Sequence, residues 1–281
     1  MMTSNPFSDL SELIPSFAMQ AYVIAMFLLV IGGTILDMIH KKSAQYFFAN
    51  AKKAEKGAKR TVSGGEKVSM VIATVANEVL TSAEFENPRR RISHLFTMYG
   101  FIIFVASTAW LIFGYTSADA VAPTLLNVAW HLGAASLCFG GYWFWFFIRV
   151  DVVSEGVKWY DLRMADTFIL SCLMMATFAL LWSVTMGAGV LNMLFLIAFI
   201  LSSTVLFSTV MWSKFAHMFF KPAAAFQKRV TRADGSRENL PADFDLTDPA
   251  VQAKFPDIPE YMGKNPEYMG HGIRRERPHH Y

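Results

Sequence analysis

Apolar residues gather along the chain in five long runs, at 17–38, 94–115, 123–150, 167–186 and 188–212, with nearly all of the charge in the segments between them. A helix needs about 20 apolar residues to cross ~30 Å of hydrocarbon, and it satisfies its own backbone hydrogen bonds there. Each run is long enough. None contains Lys, Arg or Glu in its interior, and Asp37 and Arg149 stand only at borders. Little more than Gly187 and Gly189 separates the last two runs, which predicts a tight helical hairpin. The pattern therefore predicts an all-α integral membrane protein built as a five-transmembrane-helix bundle. The leader before the first run holds no basic residue, and the run is long for the apolar core of a signal peptide, so it is read as a retained span.

Charge then orients the spans. Only 17% of the 281 residues are charged and 54% are hydrophobic, against about 25% charged in a soluble domain. Of the 25 Lys and Arg, 11 fall in 41–91, 3 in 149–166 and 11 in 214–281. With five crossings all of these segments share one side of the membrane, and basic loops stay in the cytoplasm. The N-terminus (1–16), with Asp9 and Glu12, and the short loop bearing Asp119 are therefore placed outside, and the tail inside. The cytoplasmic segments (39–93, 151–166 and 213–281) are each short for a catalytic domain with its own core. The net charge of +3 carries no nucleic-acid signal, since the basic residues serve as orientation anchors.

Within the first cytoplasmic segment, Val68, Val71, Ile72, Val75 and Val79 recur at helical spacing after Gly64 and Gly65, and Asn87-Pro88 ends the pattern. This predicts one amphipathic helix, lying on the bilayer or bundle, or forming a docking surface for a cytoplasmic subunit. Gly64-Gly65-Glu66-Lys67 lacks the spacing of a phosphate-binding loop. The tail lacks a long periodic apolar run and repeats PEYMG at 259–263 and 266–270, either a linker or a pair of partner anchors. Cys138 and Cys172 fall inside spans and read as small apolar residues. Gly133, Ala134, Gly140 and Gly141 predict a close helix contact. Trp143, Trp145, Trp159, Tyr160 and Trp212 read as an aromatic belt.

The histidines are the residues that carry candidate chemistry. His271, His279 and His280 belong to the polar tail. His40 adjoins Lys41 and Lys42 at the first span's cytoplasmic end, and His131 is the deepest ionisable group, about eight residues or ~12 Å into the third span. His94 and His217 lie at similar depth on the cytoplasmic side of the second and fifth spans. Neutral imidazole is the usual axial ligand of haem, so these two are candidates to hold one macrocycle. Arg89, Arg90 and Arg91 stand at the level where propionates or a quinone would be met, and serve equally as positive-inside anchors.

The block NPRRRISHLFTMYGF (87–101) and the block WSKFAHMFFKPAAAFQKRV (212–230) resemble the gamma-subunit-like cytochrome b anchors of nitrate reductase, heterodisulfide reductase and the quinone-interacting complex. KKSAQYFFANAKKAEKGAK, with EVLTSAEFENPRRR downstream, is most similar to the membrane anchor associated with dissimilatory adenylylsulfate reductase of sulfur-oxidising bacteria. The resemblance implies five spans with the N-terminus outside, in a bacterial inner membrane. It implies a haem b between His94 and His217. The family's second, outer haem has no counterpart, because the second and fifth spans contain no other histidine. The implied role is that of anchor and electron conduit between membrane quinone and a cytoplasmic iron–sulfur flavoprotein, adenylylsulfate reductase, with no catalytic domain of its own. Tyr99, Arg91 and Lys214 are candidate quinone donors. A cofactor-free anchor is the alternative, and a small transporter is disfavoured by the lack of paired charges within the spans.

Overall fold

In a computed structural model of the chain, residues 5–83, 85, 87–117, 120–149, 158–238, 240, 245, 247–256 and 259–260 are described, His217 by its backbone alone. The PEYMG repeat beyond Glu260, the histidines of the tail and Asp119 lie outside the described residues. Among those described there are helices and turns and no strand. The described residues divide into two compact units, those up to Ala44 with Ala73–Ala223, and Gln45–Ile72 with those from Ala224 onward.

The first unit is a helical bundle. It opens with α1 (Pro6–Leu10), where the Asn5 side chain accepts a hydrogen bond from the Phe7 amide and Pro6 takes the first turn. The sequence pattern assigned this segment no element and no packing role. Phe7 is buried with its ring 5.9 Å from Trp130 and 5.4 Å from Trp182, and Asn5 Nδ2 donates to the Tyr115 carbonyl at 2.8 Å. Helix α2 (Ser16–His40) buries few side chains, chiefly Met19, Val23 and Met26, and leaves most of its apolar surface exposed. At its end Asp37 is buried and pairs with Lys41 one turn on. Helix α3 (Ser43–Lys56) follows at once, and α4 (Gly64–Thr74) passes without a break into a π-helical turn over Val75–Leu80.

Helix α5 (Pro88–Gly114) starts six residues before the expected span. Asn87 caps it, accepting from the amides of Arg89 and Arg90 at 2.9 and 3.3 Å. Apolarity marks where hydrocarbon begins, whereas the cap marks where the helix begins. Helix α6 (Thr124–Trp143) ends in a second π turn, Phe144–Ile148, and α7 (Thr167–Val184) follows a 3₁₀ turn at Met164–Asp166. There Arg149 stacks 4.1 Å above Trp145 and forms an ion pair with Asp166, so Trp145 is buried in a clamp and does not join the exposed belt of Trp159, Tyr160 and Trp212. Helix α8 (Val190–Ser208) completes the predicted hairpin. Its Gly189 cap has φ 58° and ψ −120°, a conformation essentially reserved for glycine.

Three glycines let α5 and α6 touch backbone to backbone. A Cβ on Gly100 would collide with the Leu137 amide, one on Gly133 would sit 2.6 Å from the Phe104 amide, and one on Gly140 would sit 2.6 Å from the Thr97 amide. Ser93 Oγ donates to the Gly140 carbonyl at 2.8 Å across the same contact.

Four helices, Ser16–His40, Pro88–Gly114, Met164–Val184 and Val190–Ser208, are long and apolar enough to cross a membrane. The remaining expected span, 123–150, forms α6, which does not reach that apolarity. Its Asn127, His131 and glycines lower the average, and these residues turn inward: Asn127, His131, Gly133, Gly140 and Gly141 are all buried. By length and composition this is an all-helical, multi-pass membrane protein.

The second unit pairs the loop after α3 with the end of α9 (His217–Ala233). The amides of Lys59 and Arg60 both donate to the Asp234 carbonyl at 2.8 and 3.2 Å, and Arg60 Nε donates to the Ala233 carbonyl at 2.6 Å. Lys53 Nζ meets Glu238 at 2.6 Å. The sequence pattern did not predict α3 or α9, since polar and charged residues interrupt the apolar ones in both, although Ala54 and Thr231 are buried. At the start of α4, Ser63 and Glu66 form a reciprocal capping box at 2.8 and 3.2 Å. The Arg60 guanidinium 2.8 Å away, then the Ser63 amide, hold the Glu66 carboxyl at about 2.

Candidate functional site

Two places in the bundle bear on function. The first is a cavity of about 420 Å³, within the range of small-molecule sites, bounded by α1, α2, α5, α8 and the start of α9. It arises because α2 is tied to its neighbours at few points. Tyr22 Oη donates to the Ile200 carbonyl at 3.1 Å and lies 3.0 Å from Thr204 Oγ1, and Gln20 Nε2 donates to the Ile112 carbonyl at 3.3 Å. Between these ties, Phe101, Phe104, Phe199, Phe207 and Phe215 face the opening. Its few hydroxyls are already engaged by backbone carbonyls: Thr108 Oγ1 with Phe104 at 2.7 Å and Ser203 Oγ with Phe199 at 2.8 Å. The lining offers dispersion contact and no spare polar handle, which suits a hydrocarbon chain.

The second place surrounds His94. The ring is half-buried, its Nδ1 lies 3.1 Å from Ser82 Oγ, and it packs 4.9 Å from Phe85. Arg90 and Lys221 approach the same Phe85 ring at 5.5 and 5.4 Å. Arg91 Nε donates to the Thr81 carbonyl at 2.7 Å and Tyr99 Oη to the Leu80 carbonyl at 2.7 Å. Ser82 is buried with φ 48°, the left-handed bend that carries the chain from the π turn toward α5. Of the residues singled out in the sequence, His94, Arg90 and Arg91 are thus brought together, but as a strap holding 80–85 to α5. Arg89, the residue before Arg90, is exposed.

A haem b between His94 and His217 needs an opening lined by imidazole and cations. The side chain of His217 lies outside the described residues. The cavity contains neither histidine nor a Lys or Arg, and His94 contacts Ser82 and Phe85 instead. The apolar cavity is thus a different place from the one where the sequence expects the haem. Among the described residues no cluster of three or more His, Cys, Asp or Glu is placed to hold a metal ion.

His131 has a structural partner set. It is buried, with Nδ1 2.8 Å from the Asn127 carbonyl and Nε2 2.8 Å from Ser183 Oγ, so it joins α6 to α7. Cys172 is buried and Cys138 lies 3.6 Å from Thr177 Oγ1. Sequence reasoning missed the cavity because a gap between helices leaves no periodic signal. The richness in Phe, 25 residues, was the nearest clue.

No protein-family model, no curated protein and no solved structure matches the chain.

Proposed function

We propose that this chain is the multi-pass anchor that holds a cytoplasmic redox enzyme on the bacterial inner membrane, next to the quinone pool. The observation that carries the reading is the division of the chain into apolar helices and segments that together hold all of its Lys and Arg. Five crossings put every basic segment on one face. Helix α6 supports the fifth: with its π turn it runs from Thr124 to Ile148, some 37 Å at 1.5 Å per residue, and its buried His131 is paired inside the bundle. The N-terminus is then outside and the tail cytoplasmic. The resemblance of 41–59 and 78–91 names the enzyme class, an iron–sulfur flavoprotein of the adenylylsulfate reductase type.

The cavity, lined almost wholly by apolar side chains, favours an anchor that accommodates the isoprenoid tail of a quinone. A second reading, an electron conduit with one haem b on His94 and His217, draws on the Ser82 contact to His94 Nδ1, the kind of hydrogen bond that orients a ligating imidazole. Membrane fractions from cells with and without this chain test the anchor: the reductase sediments with membranes only when the chain is present, and unchanged partitioning refutes it. A reduced-minus-oxidised spectrum of the purified protein separates the two readings. A b-type band lost in His94→Ala establishes the conduit, and a featureless spectrum from haem-sufficient cells removes it.

A further inference from the structure

The segment from Gly64 to Leu80 was expected as an amphipathic helix with two open roles, and its surroundings decide between them. Val68, Val71, Ile72 and Val75 form one stripe at i, i+3, i+4 and i+7, and all four are exposed, Val68 at 60% and Ile72 at 63%. In α geometry Val79 would be the next position of this stripe and Leu80 would fall well off it. The turn at Val75–Leu80 closes i to i+5 instead, which brings Leu80 back toward the face of Val75 and sets Glu78 aside. Leu80 is exposed as well, at 51%.

Two hydrogen bonds give the depth of this turn. Arg91 Nε holds the Thr81 carbonyl and Tyr99 Oη holds the Leu80 carbonyl, both at 2.7 Å. Arg91 is the last charged residue before the uncharged run of α5, and Tyr99 lies eight residues, ~12 Å, further along it. The turn therefore lies beside the first apolar turns of a membrane-crossing helix, where a water-facing loop would have no reason to be fastened. Between Lys67 and Leu80 the only charge is Glu78. A run of this length is too short to span and matches an interfacial or re-entrant segment.

We infer that α4 and its π turn form an interfacial helix whose Val68, Val71, Ile72, Val75 and Leu80 stripe is immersed in the boundary between phospholipid headgroups and acyl chains. Its apolar stripe enters the ~5–10 Å boundary zone that such helices occupy. The capped and charged start at Ser63, Glu66 and Lys67 stays in water. This rests on the membrane reading of α5 and adds a lipid contact that is independent of which enzyme is anchored.

The test uses the full chain, with Cys138→Ser and Cys172→Ala, in phospholipid nanodiscs without any partner. Nitroxide labels are placed singly at Val71, Ile72, Val75 and Leu80, at exposed Ser69 off the stripe, and at Ile102 on the exposed face of α5. Collision with oxygen is compared with collision with a water-soluble nickel chelate. Stripe labels are expected to favour oxygen, as Ile102 does, and Ser69 to favour the chelate. Stripe labels that behave like Ser69 while Ile102 reports lipid overturn the interfacial helix and leave the membrane reading standing. If Ile102 also favours the chelate, the membrane reading itself fails. Stripe labels that lose chelate access only when the cytoplasmic enzyme is added also overturn the proposal, in favour of a protein partner.

Discussion

Replacing Gly100 by Ala tests whether α5 and α6 are held by backbone contact. In an ordinary helix this change gains up to about 1 kcal/mol, because alanine is the better helix former. Here the added Cβ meets the Leu137 amide at well under contact distance and lies 2.9 Å from the Gly133 carbonyl. The obstacle is main chain on both counts, so no side chain can swing aside. The helices must separate by roughly 1 Å, and over-packing of this kind costs about 1–3 kcal/mol. Separation also stretches the 2.8 Å bond from Ser93 to the Gly140 carbonyl and the 3.0 Å bond from Ser136 to the Phe96 carbonyl. A net loss of about 1–2 kcal/mol follows, roughly a five- to thirty-fold fall in the folded-to-unfolded ratio. Gly32→Ala is the control, since a Cβ there has nothing within 4 Å, and it should be neutral or stabilising. Equilibrium unfolding in lipid bicelles by steric trapping reads both. Gly100→Ala as stable as Gly32→Ala would refute the close-contact reasoning.

Other consequences are as specific. Ser183→Ala leaves His131 Nε2 without its 2.8 Å partner and should cost ~0.6–1.7 kcal/mol, the range for hydrogen bonds between membrane helices; the same unfolding assay measures it, and Ser183→Thr should recover much of the loss. The Glu66 carboxyl, depressed from 4.5 to about 2 chiefly by Arg60, supports the start of α4 above its ordinary value and loses that support as pH falls from 4.5 toward 2. Carboxyl NMR should find its midpoint near 2, moving up in Arg60→Gln, and a midpoint in the usual glutamate range would contradict the ion pair.

Four of the expected spans were legible as helices long and apolar enough to cross a membrane, because apolarity sustained over twenty residues is a strong signal, and the α7–α8 hairpin because two glycines stood where a positive φ was needed. Helix α6 shows the limit. Asn127 and His131 lower its apolarity yet are buried within the bundle, and Ser183, the partner of His131, sits on α7, a pairing the sequence does not declare. Phe7 was invisible for a related reason: one aromatic residue in a polar leader has no period. At the His94 cluster, the sequence placed Arg89, Arg90 and Arg91 at the level of His94, and in the structure Arg90, Arg91 and His94 contact Phe85, Thr81 and Ser82. It could not indicate that they would be engaged by residues 80–85, since that depends on the π turn and on the left-handed Ser82. Loss of one backbone register at Val75–Leu80 is a matter of tertiary fit, which hydrophobic spacing does not record.

Sided chemical labelling tests the multi-pass, one-sided arrangement most directly. In the Cys138→Ser, Cys172→Ala background, single cysteines are placed at exposed Glu12, Lys56 and Lys254, and intact cells are treated with a membrane-impermeant maleimide. Glu12→Cys should react in intact cells, and Lys56→Cys and Lys254→Cys only after the membrane is permeabilised. Reaction of either lysine position in intact cells, or protection of Glu12→Cys until permeabilisation, would contradict five crossings with the basic face in the cytoplasm.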